Sequence, residues 1–249
     1  RKLLERSLEL DPERTDSRYA LGLYAYYTDV APKVVQWMSW LWFVPEGDRA
    51  GGLRNLEIVR DSGGLHAMGA AFILMNVHTY HAPMDLPAAL ATGRELHARY
   101  PGNALFHSEL VEVLIKMGLY EEAVVTAQQL EESQPQEPEA EVRPQLARIL
   151  RAQAVLLSGR PQEAWKILAP MDESTTLLPI WGGAWLHLVR GQVHDAQGRR
   201  SEAVGEYQQV LALKGPRYNP RAGLIAKAAL KEPFQPERYR ELPMVGAGS

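Results

Sequence analysis

The chain contains no cysteine. That excludes disulfides, thiolate metal sites and a cysteine nucleophile, and it fits a reducing or an oxidising compartment equally. Long hydrophobic runs are missing too. None reaches the roughly 18 to 20 apolar residues needed to cross a bilayer, and the opening Arg1-Lys2-Leu3-Leu4-Glu5 lacks the apolar core of a signal peptide. Charge of one sign is scarce: lysine plus arginine number 27 against 30 aspartates and glutamates, a formal charge of -3. No basic block is long enough to follow a phosphate backbone, so nucleic acid is disfavoured as a partner. Gly-x-Ser-x-Gly, a phosphate loop and the dinucleotide fingerprint are all absent. Gly51-Gly52 and Gly63-Gly64 read as helix ends and turns, and the paired acids Glu121-Glu122 and Glu131-Glu132 are expected on solvated surfaces, since adjacent residues of a helix do not face each other. Neither catalysis nor a cofactor is expected.

What the chain does have is repetition. Leu105, Leu110, Val111, Leu114 and Ile115 recur at helical spacing, Gly118-Leu119-Tyr120 interrupts them, and Ala123, Ala127 and Leu130 resume the pattern until Pro135 ends it. This is a helical hairpin. Its turn, Gly118-Leu119-Tyr120-Glu121-Glu122-Ala123, is echoed at Gly159-Arg160-Pro161-Gln162-Glu163-Ala164 and at Gly198-Arg199-Arg200-Ser201-Glu202-Ala203. The pattern resembles the tetratricopeptide repeat, whose period is about 34 residues. The likeness covers about residues 1 to 216. It puts Gly52, Ala89, Ala123, Ala164 and Ala203 at the small-residue position of each second helix, and Leu56, Gly93, Ala127, Leu168 and Tyr207 four residues later. Pro12, Pro101 and Pro135, and approximately Pro216, fall at the terminal proline. The resemblance implies an all-α, right-handed superhelical solenoid of helical hairpins with a C-terminal capping helix.

On this alignment residues 1–231 form a single solenoid. Residues 1–14, with Leu4, Leu8 and Asp11-Pro12, are the end of a truncated repeat, which makes residue 1 a boundary inside a longer array. The first full repeat is 15–64, with Thr15 or Asp16 as its cap, the close-packing pair Leu21-Gly22, and an aromatic insertion at 28–46. Further repeats follow at 65–102, 103–139, 140–175 and 176–216. A capping helix with Asn219 as its cap spans 217–231, and 232–249 is expected to be extended or disordered. A closer resemblance appears in Leu21-Gly22-Leu23-Tyr24, Ala31-Pro32-Lys33 and Gly47-Asp48-Arg49-Ala50-Gly51-Gly52-Leu53. This stretch is similar to the opening of the eukaryotic tetratricopeptide family tied to mitochondrial outer membranes and inclusion clearance, which implies adaptor or membrane-adjacent work.

In such a solenoid the first helix of each hairpin lines the concave face, so the resemblance implies a groove formed by Tyr19, Leu23, Tyr26 and Tyr27; Met75, His78 and His81; Glu109, Glu112 and Lys116; Gln153 and Leu156; and Trp185, Gln192 and Asp195. Cations and amides in the concert needed to clamp a peptide C-terminus are missing from this set. A peptide held by aromatic and amide contacts is the better match, although Tyr26, Tyr27 and Trp185 could equally pack between helices. His78 and His81 share a helical face and could, with Glu109 or Glu112, ligate zinc; without a His-Glu-x-x-His motif they read as a polar groove edge. The insertion offers a second surface, Trp37, Trp40, Trp42 and Phe43, read either as a hydrophobic plug or as a membrane or partner contact. The function these residues point to is a non-catalytic protein- or peptide-binding scaffold. The alternatives are a lipid-associated adaptor and a structural subunit that pairs with a second copy.

Overall fold

In a computed structural model, residues 1–30, 47–81, 83–133, 142–171 and 182–241 are described, and all regular structure among them is helical. The expected contact surface Trp37, Trp40, Trp42 and Phe43 lies outside these residues. Among the described residues no helix is long and apolar enough to cross a membrane. The chain divides into two compact units, Arg1–Thr79 and Tyr80–Ser249.

The first unit holds α1 (Lys2–Leu10), α2 (Thr15–Val30), α3 (Arg49–Asp61) and α4 (Ala67–Tyr80) up to Thr79. Helix α2 begins at Thr15, with the Arg14 carbonyl accepting from Arg18 N, so Thr15 and Asp16 lie inside the first turn and do not cap it. It also runs to Val30, three residues into the stretch expected as insertion. Asp48 caps α3 by accepting from Gly51 N at 2.8 Å, an interaction worth about 1 kcal/mol. Helices α2 and α3 cross at two glycines. A Cβ on Gly22 would stand 3.1 Å from Gly52 O, and one on Gly52 would stand 2.8 Å from Gly22 O and from Tyr26 N. Neither backbone could approach this closely with a side chain in between. Behind the crossing, Leu56, Val59, Ala70 and Leu74 form a core against which Tyr19, Leu23, Leu53 and Ile73 pack.

The second unit is a two-layer stack. Helices α5 (Leu86–Arg99), α7 (Tyr120–Glu132), α9 (Pro161–Leu168) and α11 (Arg200–Ala212) are the second helices of successive hairpins. Helices α6 (Ala104–Met117), α8 (Val142–Leu157) and α10 (Gly182–Ala196) are first helices, and α12 (Pro220–Lys231) closes the row. Each first helix packs on the next, α6 on α8, α8 on α10 and α10 on α12, while also packing on its own hairpin partner. The same turn recurs three times. Gly118, Gly159 and Gly198 take φ of 77°, 84° and 74°. In each, the glycine N–H donates to the carbonyl three residues back and the next N–H to the carbonyl five back: Leu119 to Leu114, Arg160 to Val155 and Arg199 to His194. This left-handed cap satisfies two orphan carbonyls, and glycine enters it without a Cβ penalty.

The small-residue register is met throughout: Gly52, Ala89, Ala123, Ala164 and Ala203 are buried, as are Leu56, Gly93, Ala127, Leu168 and Tyr207 four residues on. Two expectations fail. Glu131, expected at a solvated surface, is largely enclosed between Arg148 (2.6 Å) and Arg151 (2.9 Å) of α8, because the next hairpin closes over that end of α7. Residues 232–241, expected to be extended or disordered, pack back onto the stack, with a 3-10 turn at Pro236–Glu241 and with Phe234 and Tyr239 buried.

Candidate functional site

A polar cluster gathers on the first-helix face of the second unit. Tyr80, the last residue of α4, donates its hydroxyl toward Glu109 Oε2 at 2.9 Å and Glu112 Oε2 at 3.1 Å, both on α6. One hydroxyl carries one proton, so it satisfies one carboxylate at a time. Burial, reinforced by the charge of Glu112, pushes the Glu109 carboxyl up to about 7, where it can hold its own proton and donate it. Burial and the same two carboxylates raise the Tyr80 hydroxyl well above its usual range, so it remains a donor.

Two cations balance the two acids. Arg221, in the first turn of α12, places Nη1 3.4 Å from Glu112 Oε2. Its guanidinium lies over the Tyr80 ring at 5.5 Å and the Trp185 ring at 5.3 Å, within cation–π range of both. Lys116 Nζ stands 5.1 Å from the Tyr80 ring centroid, and burial, then the positive charge of Arg221, draws this amine down to about 8. Both cations have weakly hydrated aromatic surroundings, so the rings replace part of the water they lose.

A second polar set lies on α8 and α10. Gln153 Nε2 donates to the Tyr239 hydroxyl at 3.2 Å. Asp195, its side chain fully enclosed, accepts from Arg200 Nη1 with both oxygens at 2.9 Å, and its Oδ2 also accepts from the Tyr207 hydroxyl at 2.9 Å and from Phe234 N at 2.8 Å. Arg200 in turn donates to the carbonyls of Ala229 and Leu230 at the end of α12. Gln192, one turn before Asp195, is fully buried, and neither atom of its amide has a partner among the described residues.

The residues expected to share one groove fall in both units. In the first, Tyr19 is half-buried and stacks on His66 at 4.8 Å, Leu23 packs on the core, and Met75 is buried. Tyr26 is buried beside Arg49, Tyr27 meets it edge-on and is itself 48% exposed, and His78 is half-buried. In the second, His81 is half-buried, Glu109 and Glu112 join the cluster, and Gln153, Leu156, Trp185 and Gln192 are buried. Among the described residues no group of three or more histidines and carboxylates is arranged to hold a metal ion. Tyr80, Arg221 and Tyr239 were missed by sequence reasoning. Arg221 follows the predicted cap Asn219 by two residues, and Phe234 and Tyr239 are two large aromatics in an otherwise polar, proline-bearing tail; these were the available signals.

Residues 84–141 match the family model of the tetratricopeptide repeat. The match supports that family. It begins just before α5, takes in the whole α6–α7 hairpin and includes Glu109, Glu112 and Lys116. It lies outside the residues between Leu21 and Leu53 that carry the closer resemblance to the outer-membrane and inclusion-clearance family. No curated protein matches the chain at a significant level. The matched α6–α7 hairpin shares its left-handed glycine turn with the two hairpins that follow it.

Proposed function

We propose that this chain is a non-catalytic scaffold that binds a protein or peptide segment through the first-helix face of its second unit. Tetratricopeptide repeats imply protein partners, and a stack of hairpins offers one continuous face built from its first helices. The observation that carries the reading is the convergence of Tyr80, Glu112, Trp185 and Arg221 from separate hairpins and the closing helix into one cluster. The chemistry is that of recognition. At 3.4 Å the Glu112–Arg221 pair is longer than the 2.6 to 3.0 Å pairs Arg148–Glu131, Arg94–Glu122 and Arg160–Glu121, and both side chains stay partly accessible at 25% and 15%. An incoming carboxylate can take Arg221, or an incoming guanidinium Glu112, in a charge-assisted bond of better geometry.

Selection from a random-peptide display library against the immobilised full chain tests this. The expected result is enrichment of peptides whose affinity drops at least about tenfold on Glu112→Gln, the loss of one charge-assisted contact. No enrichment beyond that on an unrelated helical protein would overturn the reading.

A further inference from the structure

The first-helix face of the second unit already carries a segment of this same chain. After α12 ends at Lys231, Pro233 and Pro236 keep the backbone from continuing as helix, and residues 232–241 run back along the stack to the 3-10 turn Pro236–Glu241, which packs on α8. Of residues 232–239 only Phe234 and Tyr239 are buried, at 6% and 7% exposure, while Glu232, Pro233, Gln235, Glu237 and Arg238 are exposed. Two aromatic anchors in an otherwise solvated segment form the pattern of a docked peptide. A piece of core would bury its apolar residues continuously.

The polar contacts have the same character. Phe234 N donates to Asp195 Oδ2, and the Tyr239 hydroxyl accepts from Gln153 Nε2, so each anchor is registered by one hydrogen bond shared with a buried receiving side chain. The segment supports its own shape: Arg238 N donates to Gln235 O at 3.0 Å, and the Arg238 guanidinium pairs with Glu232 at 2.5 Å on the outer side. On the receiving helix α10, the Gln192 amide is buried, and among the described residues its donors and acceptor are unused. A buried amide left unpaired is costly, and a segment that supplies one carbonyl or N–H there gains what this tail forgoes.

We propose that residues 234–239 are a built-in ligand. The α8–α10 surface around Gln153, Gln192 and Asp195 is a docking site for a protein segment with two aromatic side chains five residues apart, held closed in cis by the tail and opened when a partner's segment of that pattern displaces it. This rests on the reading that the first-helix face binds peptide segments, and it names the partner's chemistry. The tail is tethered directly to α12, so its effective concentration at the site is on the order of millimolar. A free copy of the same segment therefore cannot compete at micromolar concentration until the tail is disabled.

The test uses the full chain, wild type or carrying Phe234→Ala with Tyr239→Ala, titrated with a fluorescein-labelled peptide of residues 232–241. The double variant is expected to bind at least ten times more tightly than wild type, and a peptide with both aromatics replaced by alanine to bind neither. A double variant with wild-type circular dichroism that fails to bind would overturn the proposal and leave the tail as a structural cap. Should the double variant unfold, Tyr239→Phe, which removes only the hydroxyl, replaces it. Hydrogen exchange at the Phe234 amide then rises several-fold while the α8 and α10 amides stay unchanged; a uniform rise across α8, α10 and α12 would overturn the proposal. Display-selected peptides that bind wild type and the double variant equally would overturn the built-in ligand but leave the face-binding reading standing.

Discussion

Two ionisable residues of α6, the half-buried Glu109 and the buried His107, give the protein opposite responses to pH. Glu109 has its carboxyl raised to about 7 by burial and by Glu112, so its contribution to stability is fully present below the ordinary value near 4.5 and is lost as pH rises through about 7. Glu109→Gln keeps an acceptor for Tyr80 and removes the buried charge. The variant should match wild type at pH 5 and melt a few degrees higher at pH 8, as read by thermal denaturation at both values. His107 has the reverse sign. Burial, then the nearby His97, pulls its ring down to about 4; the two rings stand 4.2 Å apart and its Nε2 has no partner among the described residues. Its neutral form stabilises above the ordinary value near 6.5, and that stability is lost as pH falls toward 4. His107→Leu removes the titration, so the stability gap between wild type and variant should shift in the variant's favour by about 1 to 2 kcal/mol from pH 8 to pH 5. Urea unfolding at the two pH values measures it. Glu109 and Glu112 were legible as candidate residues because the repeat assigns their positions to the first-helix face. Their partner Arg221 was not, since 109 residues separate it from Glu112 and no local pattern links them.

At the scale of helices, the hairpin rhythm could be read because it is written in local chemistry: a glycine after the first helix, a small residue early in the second, and Asn219 before the helix it does cap. The tail could not. Its prolines and terminal Gly-Ala-Gly-Ser read as loop, and only packing against α8 and α10 shows why Phe234 and Tyr239 are apolar and aromatic. Glu131 went astray for the same reason, since its arginine partners sit on the next hairpin. The glycines yield a paired prediction. Gly52→Ala puts a methyl 2.8 Å from two backbone atoms of α2, so α2 and α3 must separate, at a cost of about 1 to 3 kcal/mol. Gly205→Ala, inside α11 with nothing within 4 Å of its Cβ position, should instead stabilise by roughly 0.5 to 1 kcal/mol. Equilibrium urea denaturation of the two variants separates a packing role from ordinary helix propensity, and equal effects would refute the close crossing.

For the whole molecule, the second unit is an all-α stack whose first helices contribute one face and whose second helices contribute the other. The first face carries the balanced Glu109, Glu112, Lys116 and Arg221 cluster and the docked tail. The second-helix layer carries ordinary exposed pairs such as Arg94–Glu122 and Arg160–Glu121, which contribute little and organise nothing. The measurement that tests the central claim most directly is a hydrogen-exchange footprint of the full chain with and without a display-selected peptide. The account predicts added protection confined to α6, α8, α10 and the start of α12, together with faster exchange in residues 232–241 as the tail is released. Protection on α7, α9 and α11, with the first helices and the tail unchanged, would contradict it.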